Sequence, residues 1–355
     1  MLGCECKQTA HEETAVSRTH NNFVSIAMSA AMALGILTSG PVFSDKDKDK
    51  DKDEGVTELP AAVQWMGNIQ SADLDESSGL ASSHRDAGVL WSMNDSGSGP
   101  QIFALTPQGR HLGSWLIDMP DPIDWEAMAS FQWQNKSYLL VADIGDNFAV
   151  RSTVSFTIIA EPQLAQISPE ERLQPLVTTH FTFPDGPRDA EAVAVDTQRQ
   201  ELLVLSKRTV PPELFRVPLN MASLQAGESA GLVASTGSSD VVRAELLAAL
   251  TDFRRPTKSQ VDLYGPIWPF IGMPTGMSLS GNRLLVSTLE HAYLFNRQNL
   301  TEPAKLIQLP LAGQREAIAF AKDSWDTAYV THEREDGLRK AAVYRVQFQH
   351  TDRLE

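Results

Sequence analysis

The sequence predicts an all-β fold, a β-propeller of five or six four-stranded blades. Three observations carry that prediction. One four-residue phrase recurs five times, each copy opens a meander of short strands, and the copies are spaced at blade length. Past residue 60 no long stretch shows a 3.6-residue apolar period. Short aliphatic and β-branched runs appear instead, broken by Gly, Pro, Asn and Asp, as in all-β chains.

The N-terminal elements precede the repeats. Residues 1–15 carry Glu5, Glu12 and Glu13 against Lys7, the wrong charge for the start of an export signal. From Val16 the chain reads Val-Ser-Arg-Thr-His-Asn-Asn ahead of an apolar core, so translation is expected to begin near Val16. Phe23 to Phe43 is apolar and uncharged and runs into small residues, Pro41 and an abrupt polar stretch. Residues 16–44 therefore read as a secretory signal peptide. An uncleaved anchor is the rival, since the stretch is just long enough to cross a bilayer. Residues 45–60 form a linker that opens with alternating Asp and Lys. Such alternation cancels charge locally and offers nothing to bury. A periplasmic or secreted, monomeric domain is expected, free of the membrane once the signal is cleaved. Cys4 and Cys6 both precede the apolar core, so the domain has no disulfide and no cysteine-held zinc.

Residues 61–350 carry the propeller. The phrase is a small or acidic residue, a small residue, an aliphatic residue, then Ala or Ser. Its copies are Ser78-Gly79-Leu80-Ala81, Glu126-Ala127-Met128-Ala129, Glu191-Ala192-Val193-Ala194, Thr275-Gly276-Met277-Ser278 and Glu316-Ala317-Ile318-Ala319. About ten residues after each comes an apolar strand ending in polar residues, as in Leu202-Leu203-Val204-Leu205-Ser206-Lys207. The starts lie 48, 65, 84 and 41 residues apart, against roughly 40–50 for one blade. The 84-residue interval reads as one blade with a non-repeat insertion near 240–273, including a helix over Val241–Leu250, or as two blades. Ala62–Gly67 is a strand without a partner in the first unit, and Ala342–Phe348 ends a unit that lacks its outer strand. Pairing the two would close the ring and remove both open edges.

The 355-residue chain has a net charge of −15. Residues 1–54 hold six basic and nine acidic side chains, so the remainder keeps 24 against 36. A body this acidic repels phosphate backbones and anionic lipids, which argues against nucleic-acid binding. The chain has no Gly-x-Ser-x-Gly elbow, phosphate-cradling loop or His-Glu-x-x-His, so serine-hydrolase, NTPase and zincin chemistry lack support.

An ordered series of phrases carries a resemblance: Asp124-Trp125-Glu126, Asp143-Ile144-Gly145-Asp146-Asn147 with Arg151, Glu161-Pro162, Arg188-Asp189-Ala190-Glu191-Ala192, Thr275-Gly276 and Gln314-Arg315-Glu316-Ala317-Ile318. Over residues 74–347 it resembles a group of largely uncharacterised secreted bacterial propellers. More distantly it is similar to the senescence-marker/gluconolactonase, paraoxonase and propeller-phytase types. That group often has Ala-Asp after Thr-Gly and Gly before the last Glu, where this chain has Met277-Ser278 and Arg315. The wider likeness implies the fold, and calcium only by analogy.

First strands of blades line a propeller's channel, so Glu126, Glu191 and Glu316 are expected to converge at the axis. Asp143, Asp146, Asn147, Lys207, Glu290 and Glu333 follow second strands and should ring one mouth. Clustered carboxylates raise one another's pKa values or take a cation, and oxygen-only ligands suit Ca²⁺. Glu126, Asp143, Asp146, Asn147, Glu191 and Glu316 are thus candidate calcium ligands. The same acids would equally serve as blade-tying ion pairs with Arg151, Arg188, Lys207 and Arg315. His332 and Glu333 are the candidate catalytic groups; Trp125, Lys207 and Trp268 are the candidate ligand-binding groups. Two functions remain open: a binding module for a small ligand or a protein, and a Ca²⁺-dependent hydrolase of lactones, esters or phosphoesters.

Overall fold

The computed structural model describes residues 57–95, 97–164, 171–224, 234–235, 241–258, 262, 270–309, 315–332 and 340–349. The expected signal peptide, most of the expected linker, Trp268 and Glu333 lie outside the described residues. Among the described residues no helix is long and apolar enough to cross a membrane.

Two strands, β1 (Thr57–Leu59) and β2 (Ala61–Asn68), precede the first blade. Blade one is β3 (Ser77–Ser82), β4 (Leu90–Asn94), β5 (Gln101–Leu105) and β6 (His111–Leu116). Blade two is β7 (Trp125–Trp133), β8 (Lys136–Asp143), β9 (Val154–Ala160) and β10 (Pro175–Thr182). Blade three opens with β11 (Ala190–Asp196), β12 (Glu201–Ser206) and β13 (Glu213–Pro218). The chain then lays β14 (Ala234–Ser235) and β15 (Val242–Arg243) against β10, and closes blade three with β16 (Glu245–Ala249). Blade four is β17 (Gly276–Ser280), β18 (Arg283–Ser287), β19 (His291–Asn296) and β20 (Lys305–Gln308), extended by β1 in parallel. Blade five is β21 (Arg315–Phe320), β22 (Thr327–His332) and β23 (Ala342–Phe348), with β2 as its outer strand.

The ring has five blades. Its inner strands neighbour one another in the cycle β3, β7, β11, β17, β21 and back to β3. Antiparallel pairing of β2 with β23, Ala61 opposite Phe348 through Asn68 opposite Ala342, closes it. The 84-residue interval is therefore one blade. Glu245–Ala249, expected as helix, is strand: β13 needs an outer partner, and Leu214 faces Ala248 while Phe215 faces Leu246. Main-chain pairing there outweighs local helix propensity.

Strands such as Leu202–Leu205 are apolar at every position because each sheet is covered on both faces. Leu202 and Val204 pack toward blade two, while Leu203 and Leu205 pack toward blade four. Five apolar clusters fill the five interfaces between neighbouring blades. Burying one such side chain stabilises the fold by about 1.5–3 kcal/mol. Small residues in the phrase follow from the same packing. A Cβ on Gly276 would lie 2.9 Å from the Ile318 backbone nitrogen, so inner strands of blades four and five touch main chain to main chain.

Candidate functional site at one mouth of the channel

Four inner strands begin with a β-bulge. Ser77 pairs with Asn94 and Gly79 with Met93, leaving Ser78 extra. Glu126 is extra between Trp125–Asp143 and Ala127–Ala142. Glu191 is extra between Ala190–Ser206 and Ala192–Leu205. Glu316 is extra between Arg315–His332 and Ala317–Thr331. A bulge re-aims the extra side chain out of the regular alternation. Blade four has a regular register, Gly276 opposite Ser287, and it is the copy without an acid or serine in that place.

Three glutamates from blades two, three and five thus act on one another. Lys207, which follows β12, donates from Nζ to Glu191 Oε1 at 2.5 Å. Burial pushes Glu191 up to about 8 against the pull of Lys207, with Asp189 and Glu316 adding to the rise. Burial, then Glu191 and Asp95, raises Glu126 well above the carboxylate range. Glu316 is raised by burial and by Asp95, with Lys207 opposing. Lys207 is held charged by Glu191, Glu316 and Glu126 despite its own burial. These groups titrate as a unit.

Two further acids join them. One oxygen each of Asp95, Asp124 and Glu126 lies within 4.8 Å of the others, a spacing that fits a metal ion. Burial first, then Asp95 and Asp189, pushes Asp124 up to about 7. The Gly145 backbone sits against both carboxylates, since a Cβ there would lie 2.4 Å from Asp124 Oδ2 and 2.5 Å from Glu126 Oε1. Asp189 holds the matching place in blade three but is paired with Arg208 at 2.6 Å. The Asp124 and Glu126 carboxylates have no hydrogen-bond or ion-pair partner among the described residues, although Glu126 is 96 % buried. The oxygens of Asp124 and Glu126, without such partners among the described residues and set beside a backbone that leaves room for them, fit a hard divalent cation.

Several expected site residues do other work. Asp143 accepts from the N–H groups of Ile123 (2.9 Å) and Asp124 (3.0 Å) and pairs with Arg151 at 2.7 Å. Asp146 accepts from Val150 N–H (2.9 Å) and Arg151 N–H (2.7 Å). Asn147 Oδ1 accepts from Arg208. The oxygens of these three residues hold loops in place. Trp125 is buried in the interface of blades one and two and offers no face to a ligand. His332 is 2 % exposed, with its ring 5.6 Å from that of Tyr344. Sequence reasoning missed Asp95 and Asp124 as site groups. A signal for Asp124 existed, because Asp-x-Glu occurs both at Asp124–Glu126 and at Asp189–Glu191.

No family model matches the sequence, and no curated protein matches it. Among solved structures the chain is similar to a luciferin-regenerating enzyme, with 11 % identity over 81 % of this chain and 95 % of that one, at a TM-score of 0.41. It is also similar to a gluconolactonase from Xanthomonas campestris, with 12 % identity over 82 % and 91 % and a TM-score of 0.40. A third is regucalcin, a calcium-binding protein from Agrobacterium tumefaciens strain C58, with 11 % identity over 82 % and 96 % and a TM-score of 0.40. Likeness this distant carries no argument about activity; the strand pairing and channel geometry above stand without it.

Proposed function

We propose that this chain is an exported binding module whose ligand site is the acidic channel mouth, with Ca²⁺ as the cation that organises it. One observation carries the reading: Asp124 and Glu126 present carboxylates without hydrogen-bond or ion-pair partners among the described residues, beside Asp95 and against the Gly145 backbone. Those three acids would hold the ion, and the ion would supply a positive point for a ligand oxygen. Glu191 and Glu316 stay tied to Lys207 and set the floor of the site. The body's acidity makes a cation the complement that the mouth calls for. Metal analysis of the purified domain, with calorimetric titration of Ca²⁺ into wild type and Asp124→Asn, tests it. Saturable binding lost in the variant supports the reading; no heat at millimolar Ca²⁺ removes it.

A second reading is a Ca²⁺-dependent hydrolase of lactones, esters or phosphoesters. It is favoured by the Lys207 ammonium beside the acids, a fixed positive charge able to stabilise a developing oxyanion. Screening lactone, aryl-ester and phosphoester substrates with and without Ca²⁺ separates it from binding alone. Turnover that needs both Ca²⁺ and Lys207 establishes it.

A further inference from the structure

The Glu161-Pro162 phrase plays no part at the acidic mouth. β7 starts at that mouth, β8 returns to it and β9 leaves it, so Glu161 follows β9 at the other end of the blade. Its carboxylate crosses to blade one. There it accepts from Ser83 Oγ, from Trp91 Nε1 at 2.8 Å and from the Arg85 backbone N–H at 3.2 Å. Farther along the same loop Leu173 makes a second tie to blade one. Its N–H donates to the Leu116 carbonyl at 2.9 Å, and its carbonyl accepts from Asp118 N–H at 2.8 Å. A cavity of about 370 Å³ lies beside these ties, with Arg85, Glu161, Pro162, Gln163, Leu173 and Leu176 in its wall. That volume falls in the range of small-molecule sites.

The two charged residues of the wall are unequally satisfied. Glu161 is buried, and donors from blade one occupy both of its oxygens. Arg85 differs. Its guanidinium has no hydrogen-bond or ion-pair partner among the described residues, although Glu161 stands at its own backbone N–H. Five described arginines, Arg85, Arg151, Arg188, Arg254 and Arg297, have a buried Nε without a partner. In the other four the terminal nitrogens form ion pairs. Arg85 is thus a cation set beside Pro162, Leu173 and Leu176, all three buried, with no anion supplied by the described protein. A planar guanidinium fork matches a carboxylate in both charge and shape.

We propose that this cavity is a second ligand site, separate from the acidic mouth, and that it takes a small organic carboxylate. Arg85 binds the carboxylate, while Pro162, Leu173 and Leu176 pack against the hydrocarbon part. A cationic ligand finds no acceptor here, since the one acid in the wall already has three donors. An inorganic anion would leave the apolar wall unused. The acidity of the body does not forbid the site, because exposed charges more than about 8 Å away are largely screened at physiological salt. The site is independent of any cation at the mouth.

Hexanoate, hexanol and inorganic phosphate, each titrated into the purified domain in chelator and followed by ligand-observed NMR, test the site. Hexanoate should saturate at a lower concentration than either of the others. Arg85→Gln should weaken hexanoate about tenfold or more, the loss of one charge-assisted pair, and bring it to the level of hexanol. Arg110→Gln, at an exposed arginine in the β5–β6 turn beside β2, should leave hexanoate binding unchanged. Hexanol binding as tightly as hexanoate to the wild-type domain, a comparison that needs no variant, overturns the role of Arg85. Hexanoate binding that survives Arg85→Gln does the same. Phosphate binding more tightly than hexanoate, or no saturation by hexanoate at millimolar concentration, overturns the site itself.

Discussion

Lys207 Nζ lies 2.5 Å from Glu191 Oε1 and within the field of Glu126 and Glu316, so one ammonium serves carboxylates from three blades. Its raised pKa keeps it charged through and beyond the neutral range. The pH dependence of its contribution therefore comes from the glutamates. Lys207→Met is expected to cost about 3–5 kcal/mol at pH 8, as for other broken buried pairs. The loss should shrink at pH 5, where protonated glutamates no longer need the cation. Urea midpoints at the two pH values measure it, and an equal loss at both would contradict a shared cation.

Glu126 is a buried acid without a hydrogen-bond partner among the described residues. In chelator, Glu126→Gln should raise stability by about 1–2 kcal/mol, because it removes a charge that burial disfavours. The same substitution should remove most of the melting-temperature rise that millimolar Ca²⁺ gives wild type. A scan of both proteins with and without Ca²⁺ reads the two effects together.

Asp124 contributes to the pH profile of the metal-free domain, together with Glu126, Glu191 and Glu316. Its pKa is raised from an ordinary 3.8 to about 7. Between those values the folded state keeps a proton that the unfolded chain has released, so stability falls as pH rises through the window. Chelated protein should melt higher at pH 5 than at pH 8, and Asp124→Asn should narrow the difference without abolishing it, because the raised glutamates contribute with the same sign. A profile as steep in the variant as in wild type would assign the effect to other groups.

Ring closure predicts the cost of disturbing β2. A Cβ on Gly67 would lie 2.2 Å from the Gln108 carbonyl oxygen, so Gly67→Ala forces β2 away from blade one. Overpacking of this kind costs about 1–3 kcal/mol. Removing residues 57–68 altogether bares the edge of β23, an invitation to pair with another chain. That variant should aggregate, as light scattering would show, while Gly67→Ala stays monomeric.

The recurrence of Glu-Ala-x-Ala made the blades legible, because equivalent phrases must fold into equivalent places. It also made Glu126, Glu191 and Glu316 legible as neighbours, although 190 residues separate the first from the last. The closing strand was readable for a similar reason: Ala62–Gly67 and Ala342–Phe348 each lacked a partner. Local pattern failed at Glu245–Ala249, where propensity suggested helix and the unsatisfied edge of β13 required strand.

The sequence by itself determined the sheet-forming runs, the repeat, and the meeting of Glu126, Glu191 and Glu316 at one mouth. Only tertiary structure decided which acids there stay without partners. Asp143, Asp146 and Asn147 read as ligand types, yet loop amides, Arg151 and Arg208 take up their oxygens. Asp124 read only as part of the Asp-Trp-Glu phrase, yet it stands beside Asp95 and Glu126. Residue type fixes what a side chain is able to bind. Which donor reaches it first depends on bulges and loop paths that bring together groups far apart in the chain.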